Sequence, residues 1–145
     1  MRVHALRSMT SARLAIVDIE ATVRTAAAAL SRPAMGLVVV CHAGGKVAGV
    51  VSKSDLVRHL AGSGSAEATV ARLMSRDVVS CGPEDDLHAI WQQMAAQSLQ
   101  SLPVLDAESR PLGVLDARDA LKELLEHEEY QEKLLINYVV GVGYQ

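Results

Sequence analysis

The chain has 145 residues, with 14 basic and 17 acidic side chains and a formal net charge of −3 at pH 7. Half of the residues are hydrophobic but only 3% are aromatic, so the apolar material is mostly Ala, Val and Leu. The high hydrophobic fraction and low charge exclude a disordered chain. Because the chain has no basic surplus and few rings for base stacking, its composition also disfavours nucleic-acid binding.

No apolar stretch of the sequence approaches the roughly 20 residues that a membrane-spanning helix needs, and the N-terminus lacks a signal-peptide core. We therefore expect a cytoplasmic protein with no membrane insertion. Cys41 and Cys81 lie in apolar runs without metal-ligand spacing, which predicts two buried thiols rather than a redox or metal site. The histidines are scattered along the chain, so we expect no metal ligands among them.

The first half of the sequence predicts five elements in order. A short extended segment at 14–17 precedes an amphipathic helix at 23–30, in which apolar residues recur at i, i+3, i+4 and i+7. A β-branched strand at 37–40 leads through a turn with two glycines into a return strand at 47–51. A second helix follows, with Leu56 among its apolar residues.

The second half of the sequence repeats the first. A shift of 64 residues aligns the two halves without a gap, and it places Gly49 on Gly113 and Asp55 on Asp119. The corresponding elements are an extended segment at 78–81, a helix beginning at Leu87, strands at 102–105 and 111–115, and a helix from Ala117 to about Asn137. We therefore predict the order β-α-β-β-α twice.

We divide the chain into a first repeat at 1–62, a linker of small residues at 63–66, a second repeat at 67–126, and a C-terminal helix extension and tail at 127–145. A unit of about 55 residues with one apolar sheet face is barely stable alone. We therefore expect one α+β domain in which the two repeats pack with pseudo-twofold symmetry. The tail is too apolar to remain in water, and we expect it to pack on the module or on a second copy.

Several short motifs follow one another in a fixed order. They are Gly49-Val50 with Asp55, Gly113-Val114 with Asp119, Val70-x-x-Leu73-Met74, Cys81-Gly82-Pro83-Glu84-Asp85 and Leu102-Pro103-Val104. With this order and spacing, the chain resembles a tandem pair of CBS domains, the family named after cystathionine β-synthase. The resemblance covers about residues 3–60 and 67–126. It implies two small sheets with helices on their faces, and two clefts formed by the pair.

The resemblance implies that these clefts bind adenosine-containing ligands such as AMP, ADP, ATP, NAD or S-adenosylmethionine. It implies that Asp55 and Asp119 accept hydrogen bonds from ribose hydroxyls, which a carboxylate does strongly. It places Ser52 against a phosphate, beside the positive end of a helix dipole. Gly49 and Gly113 would let a ligand or a neighbouring strand approach closely.

The resemblance also implies that backbone groups at 16–18 and 80–82 frame the adenine. The remaining residues that it assigns to the clefts are Ile16, Val17, Asp18, Val50, Cys81, Gly82, Asp116 and Arg118.

Ser52 and Asp55 also fit a capping box, in which the two side chains terminate a helix, and Asp116 can cap the equivalent helix. The sequence leaves both roles open, and they are compatible. The repeats differ here, because Asp116 stands where the first repeat has Ser52. A carboxylate repels a phosphate, although Arg118 offsets part of this. We therefore expect a phosphorylated ligand in the Ser52 cleft and, in the other, either no ligand or one with a neutral or cationic group.

We interpret the chain as a non-enzymatic regulatory module that senses an adenosyl ligand and passes a conformational change to an unidentified effector protein. The resemblance also implies a homodimer formed through helices. We assign no catalytic residues, because Ser52, Asp55 and His59 on one helix start fit a cap and a solvated face better than a catalytic triad. The alternative is a structural dimerisation subunit that binds no nucleotide.

Overall fold

The computed structural model describes the backbone of residues 1–143 and the side chains of residues 1–129, 131, 132, 135 and 136. Its helices and strands are α1 (Arg7–Ala12), β1 (Ile16–Asp18), α2 (Val23–Leu30), β2 (Leu37–Cys41), β3 (Val47–Ser52), α3 (Lys53–Ala61), α4 (Leu87–Ala96), β4 (Ser101–Leu105), β5 (Pro111–Asp116) and α5 (Ala117–Gly143). Short 3-10 helices at Val3–Leu6 and Val70–Arg72 lie near the start of the repeats.

Each repeat forms its own small sheet. In the first repeat, β1 lies parallel to β2 with Val17 opposite Val40, and β2 pairs antiparallel with β3 with Val39 opposite Val50. In the second repeat, β4 pairs antiparallel with β5. Helices α2 and α4 pack on the sheets of their own repeats through apolar side chains. This arrangement of two small sheets and their helices confirms the predicted α+β fold.

The extended segment predicted at 78–81 contributes a single bridge, between Cys81 and Val104, instead of a strand. Pro103 explains the difference. In the first repeat, the backbone N–H of Val39 donates to the carbonyl oxygen of Ala15 at 2.9 Å. The shift of 64 residues places Pro103 on Val39, and proline has no N–H to donate.

The segment that opens each repeat packs on the sheet of the other repeat. We call residues 3–12 and 70–75 the leading segments. Val3 and Leu6 lie in the apolar cluster of the second sheet, whereas Val70 and Met74 lie in the cluster of the first sheet. The sequence did not predict α1, because a helix of six residues is too short to display an apolar period. The exchange ties the two repeats into one folded body.

Two glycines make this exchange possible. A β-carbon on Gly113 would lie 2.7 Å from the backbone carbonyl of Thr10, and one on Gly49 would lie 2.7 Å from the carbonyl oxygen of Ser75. Backbone atoms cannot swing aside as the end of a side chain can, so both positions require glycine. The close neighbour at each glycine is therefore a leading segment of the chain itself.

A third apolar cluster joins the two sheets. It contains Leu37, Val39 and Cys41 from β2 and Val114 from β5. Both cysteines are buried, as predicted. Burial raises the pKa of the Cys81 thiol to about 12, so this thiol stays protonated and unreactive at neutral pH.

Helix α5 continues beyond the predicted end near Asn137. Leu135 and Ile136 on this helix are exposed. The predicted packing of the tail otherwise concerns side chains at 134 and 137–145, which lie outside the described residues. Within residues 1–143, the helices include none that is long and apolar enough to cross a membrane.

Candidate functional site

The first strand-to-helix corner is formed where β3 ends at Ser52 and α3 begins at Lys53. The Oγ of Ser52 accepts the backbone N–H of Asp55 at 3.3 Å, and the Oδ2 of Asp55 accepts the backbone N–H of Ser52 at 2.8 Å. The hydroxyl of Ser52 also donates to Asp55 Oδ2 at 3.0 Å. This is a complete capping box, so the helix-capping role that the sequence left open is present.

A cleft of about 470 Å³ opens beside this corner. One wall is the corner itself at 52–55, with Val50 next to it. The facing wall comes from the second repeat, through Ser75, Asp77 and Val79 and through the residues at 98–101. The cleft therefore lies between the repeats, and its walls can move relative to each other if the repeats do.

The second corner, where β5 ends at Asp116 and α5 begins, holds an arginine of the chain. The Nε of Arg13 donates to Asp119 Oδ2 at 2.6 Å, and its Nη2 donates to Asp119 Oδ1 at 3.1 Å. A third donor, Nη1, reaches the carbonyl oxygen of Ala34 at 2.6 Å and lies 3.9 Å from Asp116 Oδ2. A two-point contact of this kind is the strongest arrangement of guanidinium and carboxylate.

Asp116 is the cap of α5 and is buried. Its Oδ1 accepts the backbone N–H of Arg118 at 2.8 Å and that of Asp119 at 3.4 Å. Burial alone would raise the pKa of Asp116, but the hydrogen bonds from Arg118 and the charges of Arg13 and Arg118 outweigh it, and the pKa is lowered. The hydrogen bond to Asp119 raises the pKa of Arg13. The second corner therefore favours the charged forms of Arg13 and Asp116.

The structure brings some of the predicted site residues together and separates others. Ser52, Asp55 and Val50 line the first cleft. Asp116, Arg118 and Asp119 gather at the second corner, with Arg13 between the repeats.

Other predicted site residues serve the fold where the structure places them. Ile16, Val17 and Asp18 form β1 and do not line the first cleft; Asp18 Oδ2 accepts the backbone N–H of Glu20 at 2.7 Å. Cys81 is buried, Gly82 donates its N–H to Asp85, and Gly49 packs against Ser75. The first cleft instead takes residues slightly earlier in the second repeat, at 75, 77 and 79.

Sequence reasoning missed Arg13 and Asp77. The signal was available, because the shift of 64 residues that places Asp55 on Asp119 also places Arg13 on Asp77. At these equivalent positions, the second corner has the cation Arg13 and the first has the anion Asp77, so the two corners differ in charge.

We predict that Arg13→Ala lowers the free energy of unfolding by about 1–3 kcal/mol, because it leaves Asp119 without its two-point partner and Asp116 with Arg118 alone. Urea unfolding at neutral pH measures the loss. The matched control is Arg24→Ala, which removes a surface pair with Glu67 whose side chains are 69% and 65% exposed; its loss should stay within about 0–1 kcal/mol. Equal losses from both variants would contradict a structural role for the Arg13 pair.

The lowered pKa of Asp116 predicts a pH dependence. In the folded protein, the pKa of Asp116 lies below its value of about 3.9 in the unfolded chain. The carboxylate therefore stabilises the fold fully above about pH 4, and this contribution is lost as the pH falls through the pKa of the folded state. Asp116→Asn keeps an oxygen for the Arg118 N–H but removes the charge. The difference in unfolding free energy between wild type and variant, measured in urea, should therefore shrink on acidification. A difference that grows would refute the assignment.

Comparison with known proteins agrees with this geometry. The family model of the CBS domain matches residues 5–62 and 70–126. A CBS-domain-containing protein from Agrobacterium tumefaciens is 26% identical, with a TM-score of 0.74 over 85% of this chain and 98% of that one. A CBS-domain protein from Pyrobaculum aerophilum, solved with AMP, is 21% identical, with a TM-score of 0.75 over 87% of this chain and 99% of that one.

Two further similarities differ in extent. The CBS domain pair of the protein MJ0100, solved with 5′-methylthioadenosine and S-adenosyl-L-methionine, is 17% identical, with a TM-score of 0.73 over 88% of this chain and 98% of that one. A homoserine O-acetyltransferase from Methanococcoides burtonii is 27% identical over 107 residues, and the chain spans about a fifth of its length. The family model covers most of the chain in two tandem copies, and the fold agrees with that of the Agrobacterium protein over 85% of the chain, so the chain belongs to the CBS-domain family, as a tandem pair.

Proposed function

We propose that this chain is a regulatory module that binds an adenosine-containing ligand in the cleft beside Ser52 and Asp55. The observation that carries the proposal is the open cleft of about 470 Å³ between the repeats, a volume within the range of about 300–1,000 Å³ that small-molecule sites occupy. Related CBS pairs of the same fold were solved with AMP and with 5′-methylthioadenosine and S-adenosyl-L-methionine.

Asp55 is the group that we assign to the ribose. Its Oδ2 is used within the capping box, whereas its Oδ1 contacts only the Nη1 of Arg58 among the described side chains, at 3.2 Å. Arg58 is 75% exposed, and a pair of this kind is worth little. Oδ1 is therefore able to accept hydrogen bonds from ribose hydroxyls. The apolar side chains of Val50, Val79 and Leu99 supply walls for the adenine.

The proposed mechanism is a change in the relative orientation of the repeats. The ligand would contact the corner at 52–55 in the first repeat and the residues at 75–79 and 98–101 in the second. A ligand that binds one orientation more tightly shifts the population towards it by its difference in affinity. The binding of an effector protein that recognises that orientation would then depend on the ligand concentration.

We propose that the module binds without catalysis. In the cleft, the hydroxyl of Ser52 donates to Asp55 as part of a helix cap, which is a structural contact and not the activation of a nucleophile. Neither Cys41 nor Cys81 lines the cleft, and both are buried. The similarity to the acetyltransferase concerns 107 residues that fall mostly within the CBS repeats.

We predict that Asp55→Asn weakens binding of 5′-methylthioadenosine or AMP, whichever binds the wild type, by at least about tenfold, because a charged acceptor contributes roughly 1.5–3 kcal/mol to a hydrogen bond. Isothermal titration calorimetry measures the affinity. Asparagine keeps the oxygen that caps α3, and the melting temperature of the free variant checks its fold. The matched control is Asp119→Asn at the equivalent corner, where Arg13 occupies the carboxylate. An equal effect of both variants on affinity would count against the first cleft.

A second proposal, that the chain forms a homodimer through helices, is supported by apolar side chains that α3 and α5 leave in solvent. Val57 and Leu60 on α3 are 66% and 58% exposed, and Leu121 and Leu125 on α5 are 38% and 50% exposed. The shift of 64 residues places Val57 on Leu121, so both repeats present an apolar position on the equivalent helix. Exposed apolar groups of this kind mark association surfaces. A dimerisation subunit that binds no ligand would use the same helices.

We predict that the wild type sediments as a dimer and that Val57→Glu combined with Leu121→Glu converts it to a monomer, because two buried carboxylates per chain would face an apolar partner surface. Sedimentation equilibrium gives the mass directly. The control is Ala28→Glu, which adds charge at an exposed position on α2. A monomeric wild type, or a dimer that survives the double substitution, would rule out this interface.

A further inference from the structure

The two corners of the molecule are equivalent in sequence but opposite in charge at one position. Asp55 of the first corner corresponds to Asp119 of the second, and Asp77 corresponds to Arg13. We infer that Asp77 makes the first cleft select adenosine ligands whose 5′ substituent is uncharged or cationic over ligands that carry a phosphate there. This inference rests on the proposed function of the cleft.

The second corner shows which group the side chain at this position faces. Arg13 extends from the residues just after α1 to the carboxylate of Asp119, with contacts of 2.6 and 3.1 Å. The carboxylates of Asp116 and Asp119 are thus balanced by two cations, Arg118 on α5 and Arg13 from the other repeat. The side chain of Arg13 is therefore directed at Asp119, the carboxylate that corresponds to Asp55 in the first repeat.

In the first cleft the equivalent position carries a carboxylate, as the corner of the first repeat does. Asp77 and Asp55 both line the cleft, from opposite repeats. An aspartate side chain is much shorter than an arginine, so it leaves open the space that the guanidinium fills in the other corner. Of the described side chains that line the cleft, Lys53 alone is cationic. Arg58 contacts Asp55 at 3.2 Å and offsets the charge of that carboxylate. Asp77 adds a further negative charge to the wall of the cleft, and this charge repels a phosphate and attracts a cation.

The capping box takes up part of the backbone donors at this corner. A phosphate at a helix N-terminus is held by free backbone N–H groups. Here the N–H of Ser52 donates to Asp55 Oδ2, and the N–H of Asp55 donates to Ser52 Oγ. Two of the donors nearest the cleft are thus already used by the capping box. The contrast between Ser52 and Asp116 favoured a phosphorylated ligand in this cleft; Asp77, which that contrast did not include, reverses the expected order.

The test compares 5′-methylthioadenosine with AMP, because the two differ only in whether the 5′ substituent is a neutral thioether or a charged phosphate. S-adenosylmethionine and ATP extend the series to a sulfonium and a polyphosphate. Calorimetric titration of the full chain at fixed ionic strength should give at least tenfold tighter binding of 5′-methylthioadenosine and S-adenosylmethionine than of AMP and ATP. Asp77→Asn should reduce this ratio to threefold or less, chiefly by strengthening the binding of AMP.

Two further variants complete the experiment. Glu108→Gln removes the same unit of charge from an exposed turn outside the cleft and should leave the ratio unchanged. Asp77→Arg should weaken all four ligands at least tenfold, because its guanidinium can pair with Asp55 as Arg13 pairs with Asp119.

The possible failures are distinguishable. If AMP binds the wild type as tightly as 5′-methylthioadenosine, or if Asp77→Asn leaves the ratio unchanged, the selectivity assigned to Asp77 is wrong while the cleft remains a binding site. If none of the four ligands binds the wild type or Asp77→Asn, the proposed function fails and this inference fails with it.

Discussion

Each repeat of this chain covers the sheet of the other repeat with its own leading segment, and the rest of the structure depends on this exchange. Val3 and Leu6 complete the core of the second sheet, and Val70 and Met74 complete that of the first. The exchange requires glycine at 49 and 113, where the crossing backbone approaches within contact distance. It also determines the clefts, because the residues that follow each leading segment face the strand-to-helix corner of the opposite repeat.

The two clefts are built alike but are not equivalent. In one, Arg13 joins the repeats through a two-point ion pair with Asp119 and fills the corner. In the other, a short side chain at the corresponding position leaves a space of about 470 Å³. The difference between Arg13 and Asp77, together with that between Asp116 and Ser52, separates a corner whose charges pair within the protein from an open corner.

Local sequence patterns predicted the elements that are determined by residues close to one another in the sequence. The helix at α2 and the hairpin of β2 and β3 followed from apolar periodicity and turn glycines, and the Ser52–Asp55 cap followed from spacing alone. The same reasoning failed where the local structure depends on a residue that is distant in sequence. Pro103 removes a hydrogen bond that Val39 makes, so the segment at 78–81 does not form a strand. Arg13 contacts Asp119 across more than a hundred residues of sequence, and no local pattern indicates such a pair.

The crossed leading segments also bear on how such a chain can arise. Neither repeat completes its core with its own residues. A single isolated repeat would therefore complete its hydrophobic core only by exchanging leading segments with a second copy. In a symmetric pair of identical copies, one residue must serve in both clefts at once. When the two copies are joined in one chain, their sequences can change separately, so Arg13 in one repeat and Asp77 in the other could diverge independently.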